Sequence, residues 1–452
     1  MEQAALKAFF EEACSMKHYA KKLKQSLMSE IRELADRKRE FCRNPVRDFT
    51  RERKLTFEEV IKILVSMGGD PLRTELFRHG QYSPETASVS AFVQQRSKIL
   101  PEAMEHLFRR FTMHNLPTKL YQGFRILAVD GTDLQFTADP QDKASYFPGK
   151  SGQLHYSMMH LNALFDLSSR TYLDAVVQKR RNMHESAALV QMVDRCAVDT
   201  PVLLLADRNY EAYNVITHLS EKGWKYLIRI RKSNGFVAGF PCSDLSEFDI
   251  SETISLTRKQ NKRTKQLIAN DPVHFRFLPQ HVVLDFLPPK SDDFYTISFR
   301  IVRFSLPDDT EETVITNLEA DLYPPEKLKQ LYFLRWGIET SFRQLKYTVG
   351  LRQFQCKKVE HVTQEIFARL LMYNFTEMIT FHVIIQNKSR KYAYQANFSA
   401  AVHICRQFLR GSVSPPHVEA MIAKHILPLR PGRSTIRNLN HIRFTGFYYR
   451  IA

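Results

Sequence analysis

No run of eighteen apolar residues occurs anywhere in the 452 positions of the chain, so nothing in it is suited to cross a membrane as a helix. Its opening stretch, MEQAALKAFFEEACSMKH, sets Glu within the apolar part and lacks the basic segment of a secretion signal, so export is not expected. Cysteine is sparse. The six residues, at 14, 42, 196, 242, 356 and 405, fall into no CxxC or other ligand-like spacing. That argues against a disulfide framework and fits reduced thiols in a cytoplasm. Acidic residues are also in short supply: 48 Asp plus Glu against 65 Lys plus Arg leave a formal charge of +17 and a pI near 9.5. Such a balance favours a polyanionic partner. The 44% hydrophobic content provides material for two or three domains and a real core.

The most informative stretch lies between Tyr332 and Lys346. At about 100° per residue, Tyr332, Arg335, Glu339 and Lys346 fall within roughly a sixth of a helical circumference. The apolar residues Leu331, Leu334, Ile338, Phe342, Leu345 and Val349 form a separate face beside them, so one helix would carry both a core face and a working face. Pro324 and Pro325 suit its first turn, and Gly350 suits its end. An exposed i,i+4 ion pair would explain Arg335 and Glu339 alone. The polar stripe, however, extends about 21 Å, longer than a small-molecule site needs and fitting for an extended polyanion. Arg and Lys can grip successive phosphates, Tyr can donate to a phosphate oxygen, and metal ligation is one reason for a carboxylate to sit among cations.

A carboxylate metal site needs partners. The apolar run Phe124 to Val129 reads as a buried strand ending in Asp130, and Pro201 to Ala206 reads as another ending in Asp207. Functional groups in open α/β sheets collect beyond the carboxyl ends of strands. Each aspartate alone would also serve as a turn or helix-capping residue.

Taken in order, Asp130, Asp207 and the pattern Tyr-x2-Arg-x3-Glu-x6-Lys at 332 to 346 resemble the Asp-Asp-Glu transposases of bacterial insertion sequences, specifically the insertion-sequence-four family with its Tyr-Arg-Glu-Lys helical signature. Asp207-Arg208-Asn209-Tyr210 stands where that family usually has Asp-Arg-Gly-Tyr, and Asn tolerates the left-handed conformation that Gly would adopt. Val129-Asp130-Gly131-Thr132 is also family-like, and Asn182 to Glu185 (NMHE) resembles an Asn/His-Glu element ahead of the first core helix. The resemblance spans roughly residues 50 to 380.

It implies a DNA transposase that binds the terminal repeats of its element and carries out metal-dependent cleavage and strand transfer. Asp130, Asp207 and Glu339 would then be the catalytic, metal-holding carboxylates, taking two Mg²⁺ ions about 4 Å apart, with Mn²⁺ able to substitute. Tyr332, Arg335, Lys346 and Arg208 would contact DNA, and Trp224 is one of several aromatics able to stack on a displaced base. The partners implied are double-stranded DNA, as element ends and target, and a second copy of the chain in a synaptic homodimer. The expected setting is a bacterial cytoplasm, at the nucleoid. A ribonuclease-H-like nuclease or resolvase would share the metal site without needing the long stripe, and a non-catalytic DNA-binding descendant would have lost a carboxylate. Asp133 is the one competitor for the place of Asp130.

The expected fold class is α/β: a ribonuclease-H-like catalytic core at 119–380, an all-α DNA-binding domain before it at 1–118, and a basic helical region after it at 381–452. Thr56-x-x-Glu59 resembles a capping box opening a helix from Phe57 to Met67, and Gly68 to Pro71 supplies a break. Gln94, Gln95, Arg96 and Lys98 lie on a helix predicted over Ser83 to Leu100 and suit base edges and phosphates. From Tyr121 onward the pattern reads three strands, a helix over 184 to 198, strand 201 to 206, helix 211 to 222 and strand 225 to 230. Between about 231 and 312 the helical signal disappears into a β-rich insertion. This is either part of the core or an independent β domain, depending on whether strand Glu312 to Leu318 returns to the core sheet. The last region holds eleven Lys or Arg against the single acid Glu419, with Arg430, Arg433, Arg437 and Arg443 forming a tail suited to a phosphate backbone. The helix near Ala400 to Leu409 is a candidate for pairing two protomers.

Overall fold

The computed structural model of the chain describes residues 19–429 apart from 52, 150–153, 233–234, 238, 241–244, 307–309, 355, 384–391 and 415–416. The basic-tail residues Arg430, Arg433, Arg437 and Arg443 lie outside the described residues, as do Cys14 and Cys242. Among the described residues no helix is long and apolar enough to cross a membrane, and Cys42, Cys196, Cys356 and Cys405 are free thiols.

A large mixed sheet organises the α/β fold. Its strands are β1 (Arg125–Thr137), β2 (Tyr146–Phe147), β3 (Tyr156–Asp166), β4 (Thr171–Lys179), β5 (Val202–Ala206), β6 (Lys225–Arg229), β7 (Phe248–Thr257), β8 (Phe275–Phe277), β9 (Phe294–Ser305) and β10 (Glu311–Thr316). They follow the order β2-β3-β1-β5-β6-β10-β9-β7-β8, with β4 against β3. β1, β5 and β6 are mutually parallel, and all five aliphatic or Ala residues of β5 are buried, as a strand covered on both faces requires. Between β5 and β6 the chain crosses over through the helix Tyr213–Glu221.

β1 corrects the expectation that the strand from Phe124 to Val129 ends in Asp130. It runs on through Asp130 and Gly131 to Thr137, paired antiparallel with β3 from Leu127↔Asp166 to Thr137↔Tyr156. Leu134 and Phe136 are buried in its second half and supply the period-two apolar face that keeps the strand going.

The segment from 231 to 312 is no independent sheet. β10 pairs with β6, β9 with β10 and β7 with β9, so the insertion widens the core sheet from one edge. It also holds a helix, Lys262–Asn270, that the sequence pattern did not announce. Thr264 alone is buried there, so no apolar stripe marks it; a reciprocal cap between Asn261 and Thr264 fixes its start.

The helices Tyr19–Asp36, Phe57–Ser66, Leu72–His79, Val89–Arg96 and Glu102–His114 fill the N-terminal region. Thr56 caps the second, its side chain accepting from the Glu59 amide at 3.1 Å. They gather around the helix Val359–His382, most of whose residues are buried, together with Phe398–Leu409 and His417–Lys424. One apolar cluster joins Leu27, Ile61 and Phe108 of the early helices to Phe367, Phe375 and Val402 of the late ones, and to Ala128 and Phe165 of the sheet. This core crosses the boundaries drawn near residues 118 and 380. Buried ion pairs cross them too. Arg96 meets Glu365 at 2.9 Å, and Arg410 meets Glu75 at 2.5 Å.

Candidate active site

The register of the parallel pair β1/β5 runs from Arg125↔Val202 to Ala128↔Leu205. Two residues further on stand Asp130 and Asp207, so both carboxylates leave neighbouring strands at the same end of the parallel segment. Asp130 stays in β1, where it pairs with Ala163 of β3, and its Oδ1 accepts from the Gly131 amide at 2.8 Å. Asp207 caps a short helical turn, Arg208–Tyr210, its Oδ1 accepting from the Asn209 amide at 2.9 Å. The capping role foreseen as an alternative is therefore present, and it leaves the other oxygen of Asp207 available.

Glu339 comes from the helix Trp336–Arg343, laid against the sheet. Ile338 and Phe342 enter the same apolar cluster as Ala128, Phe165 and Tyr172. Ser341 binds the Tyr172 hydroxyl at 2.8 Å. Gly337 permits the close approach, since a Cβ there would stand 2.6 Å from Leu167 Cδ2.

A single regular helix through 325 to 349 does not form. Pro325–Phe333 and Trp336–Arg343 are joined by a tightened turn in which Leu334, Arg335, Gly337 and Ile338 donate to carbonyls three residues back. A widened π turn, Gln344–Thr348, then follows. These opposed changes shift the angular positions of the stripe but keep its members facing the strand ends. The stripe is not a solvated face, since Tyr332 and Arg335 are 5% and 8% exposed.

The charges of these groups bear on one another. Burial pushes the Asp130 carboxyl up to about 6; the Gly131 amide and Arg335 oppose this, while the charges of Asp207 and Glu339 add to it. Burial also lifts the Tyr332 phenol to about 12, with Arg335 and Asp207 among the charges it senses. Although burial opposes its charge, the Arg335 guanidinium is held more firmly protonated by Tyr332, Glu339 and Asp130. It donates from Nη2 to Glu339 at 2.9 Å and lies over the rings of Tyr332 and Trp336, 5.8 and 5.4 Å from their centroids. Burial and Arg352 lower the Lys346 ammonium, and Asp133 and Asp130 partly offset them.

Among the described residues no three His, Cys, Asp or Glu side chains stand close enough to hold one metal ion together. Arg335 takes up Glu339 there. The donor set nevertheless fits a hard divalent ion, being carboxylate oxygen throughout. Two buried hydroxyls there, Tyr210 and Tyr332, have no hydrogen-bond partner among the described residues, nor has Nε of Arg335.

Asp133 is otherwise engaged. It binds His160 Nδ1 at 2.6 Å and Arg180 Nε at 2.8 Å, and despite burial these two cations hold its carboxyl below the usual range. His160 also meets Glu185 at 3.0 Å through Nε2. Burial opposes its charge, but the two carboxylates raise it. His160 was not singled out from the sequence. A lone imidazole inside the apolar run of β3 was the available signal.

The N-terminal candidates separate sharply. Arg96 is 1% exposed: its guanidinium binds Gln364 at 2.8 Å, Glu365 at 2.9 Å and the His361 carbonyl. Gln95 is buried and accepts from Lys98 Nζ at 3.0 Å. Both were expected to reach DNA; both are buried, and Arg96 is turned onto the helix Val359–His382. Gln94 stays exposed and Lys98 half-buried. Arg208 is exposed beside Asp207. Trp224, 5% exposed in the apolar cluster under β6, cannot stack on a displaced base as it stands.

Residues 121–375 match the family model for the transposase DDE domain. No curated protein matches the chain. Among solved structures it is similar to the piggyBac transposase in a synaptic complex with hairpin DNA, solved by cryo-EM, at a TM-score of 0.43 and 11% identity over 90% of this chain and 84% of that one.

Proposed function

The chain belongs to the DDE-domain transposases, a DNA transposase by family, and from that premise we propose that Asp130, Asp207 and Glu339 are its catalytic carboxylates. What supports this reading is that Asp130 and Asp207 leave the parallel strands β1 and β5 at the same end, and that the charges of Asp207 and Glu339 both bear on the Asp130 carboxyl. Enzymes of this family use divalent ions, and the all-oxygen set here suits two Mg²⁺, with Mn²⁺ as substitute. When bound, such ions supply activation of a water or a DNA 3′-hydroxyl and stabilisation of the leaving oxygen at phosphorus. What the protein itself adds is position and charge. Arg335, braced between Tyr332 and Trp336, and Lys346 offer cations to the phosphate beside the scissile bond, and the unpaired Tyr332 hydroxyl offers it a donor.

The finer assignment is to the insertion-sequence-four type, whose Tyr-Arg-Glu-Lys pattern matches Tyr332, Arg335, Glu339 and Lys346. The order of β1, β3 and β4, then a helix, β5, a helix and β6 supports a ribonuclease-H-like core at 119–380, interrupted by the insertion at 231–312. The helical region 1–118 reads the terminal repeats, with Gln94, Lys98 and Arg208 as the accessible candidates for DNA contact, and the basic region 381–452 holds the backbone. The chain works as a homodimer on paired element ends, at the nucleoid of a bacterial cytoplasm.

Incubating the protein with Mg²⁺ and DNA bearing the element's ends tests the reading. Asp207→Asn is expected to abolish cleavage and strand transfer while retaining DNA binding; cleavage at the parent rate overturns it.

A further inference from the structure

We propose that the turn at 44–49 is the DNA-reading element of the early helical region: Val46 at its tip meets base edges in a groove of the element's end, and Arg47, Lys98, Lys357 and Lys358 around it hold the flanking phosphates. This rests on the reading that region 1–118 binds the terminal repeats. It moves the main contact from the helix Val89–Arg96 to a segment outside every helix and strand.

The turn is firmly built. The Asn44 side-chain oxygen accepts from the Val46 and Arg47 amides, both at 3.2 Å, and the Asn44 amide donates to Asp48 Oδ2 at 2.9 Å. Thr50 Oγ1 donates to the Arg47 carbonyl at 3.1 Å. At the base, Phe49 meets Phe57 edge-on, with ring centroids 5.5 Å apart. Arg43 donates from its amide to the Lys98 carbonyl at 2.8 Å and from Nε to the Ser97 carbonyl at 2.7 Å. These bonds hold out Val46, which at 82% is the most exposed large apolar side chain among the described residues. A lone exposed valine is ordinary; the charge around this one is what gives it meaning.

Arg39, Arg47 and Arg51 are exposed and form no ion pair among the described residues. The acids nearby are already engaged: Asn44 holds Asp48, Arg37 holds Glu40 at 2.6 Å, and Arg43 holds Glu360. Lys98 adds its ammonium 5.6 Å over the Phe49 ring. The pair of Arg43 with Glu360 sets the turn beside the start of the helix Val359–His382, where Lys357 and Lys358 are exposed. Cations are disfavoured at that end of a helix by its dipole, so the fold draws no support from these two. A phosphate backbone laid across the turn answers all of these charges.

The same surface leads back to the carboxylates. Between Lys346 and Lys357 the chain passes Arg352, which donates to the hydroxyl of the exposed Tyr347 at 2.8 Å. Gly350 closes on Gly69, between the helices Phe57–Ser66 and Leu72–His79: a Cβ on Gly350 would stand 3.5 Å from Gly69 Cα. Phe354 packs on Phe136 of β1, with ring centroids 6.4 Å apart. The loop after the stripe is thus seated between the strand that carries Asp130 and the early helices, and its cations continue from Lys346 toward the turn. A duplex gripped at 44–49 can follow them to the carboxylates.

The test is fluorescence anisotropy of the full chain, without divalent ions, on a labelled duplex bearing the element's end and on an unrelated duplex. Val46→Asp sets a negative charge against the phosphates and is expected to lower affinity for the element's end about tenfold or more. Its unfolding temperature should match the parent's, because the position is exposed. Arg47→Ala should weaken binding to both duplexes alike and reduce the slope of log affinity against log salt by about one. Val283→Asp makes the same change of charge on the insertion, at a position 58% exposed, and should bind as the parent does. Parent-like affinity in Val46→Asp, an unchanged salt slope in Arg47→Ala, or an equal loss in Val283→Asp overturns the proposal. In the first case an altered mass of Val46→Asp in solution would assign the turn to a protein contact. A parent chain that does not prefer the element's end to unrelated duplex overturns the underlying reading of region 1–118, and this inference with it.

Discussion

Two parts of the molecule bury charge, and they do it in opposite ways. Where the early and late helices meet, buried acids face arginines: Glu365 has Arg96 and Glu75 has Arg410. At the strand ends, acid faces acid. Burial raises the Asp130 carboxyl most; Asp207 and Glu339 add to this, and the Gly131 amide and Arg335 oppose it. A buried pair with matched partners tells of assembly, whereas a buried carboxylate opposed by others is held there at a cost in stability and so points to a ligand.

The largest effect that would sharpen this contrast is on chemistry. Asp130→Asn should remove cleavage in a Mg²⁺-dependent DNA assay, while Asp133→Asn, whose acid is occupied by His160 and Arg180, should retain measurable cleavage. The reverse ranking would transfer the site to Asp133.

Next in size is the helical side. Arg96→Met leaves Glu365 buried without its cation and should cost about 3–5 kcal/mol in urea unfolding. Stability within the error of the parent would mean that the pair does not hold the two sets of helices together.

The smallest effect is at Asp130 again, now on stability. Its folded value of about 6 exceeds the ordinary 3.8, so the stability it contributes is present below pH 3.8 and is lost as the pH rises through about 6. Without ions, Asp130→Asn should therefore be more stable than the parent at neutral pH, by about 3 kcal/mol at most. The gap should close toward pH 4. A gap that does not change with pH would show that the carboxyl is not strained by its neighbours.

Much of the fold was legible because periodicity reports burial. The apolar runs of β3, β4, β5 and β6 and the helix starting at Glu185 lie close to where alternation and helical spacing put them. β1 continued past Asp130 because a glycine and a threonine hid the period-two pattern that Leu134 and Phe136 resume. The helix Lys262–Asn270 escaped notice because it has almost no core face to report. At the site, residue type and spacing flagged Asp130, Asp207 and the stripe, but angles for a regular helix could not foresee its tightened and widened turns. Arg96 looked available to DNA because a polar side chain at helical spacing gives no sign of which way it faces; only Gln364, Glu365 and the His361 carbonyl, over 260 positions away, decide it.

That distance matters for how the protein is made. As a ribosome releases the chain, the helices between Tyr19 and His114 emerge long before the helix Val359–His382 that covers their apolar faces and receives Arg96. They must wait, unfinished, until most of the polypeptide has been synthesised. A product cut short before that helix would keep all three acids of the cluster and leave the apolar faces of the early helices uncovered, so the acids alone do not make the finished molecule.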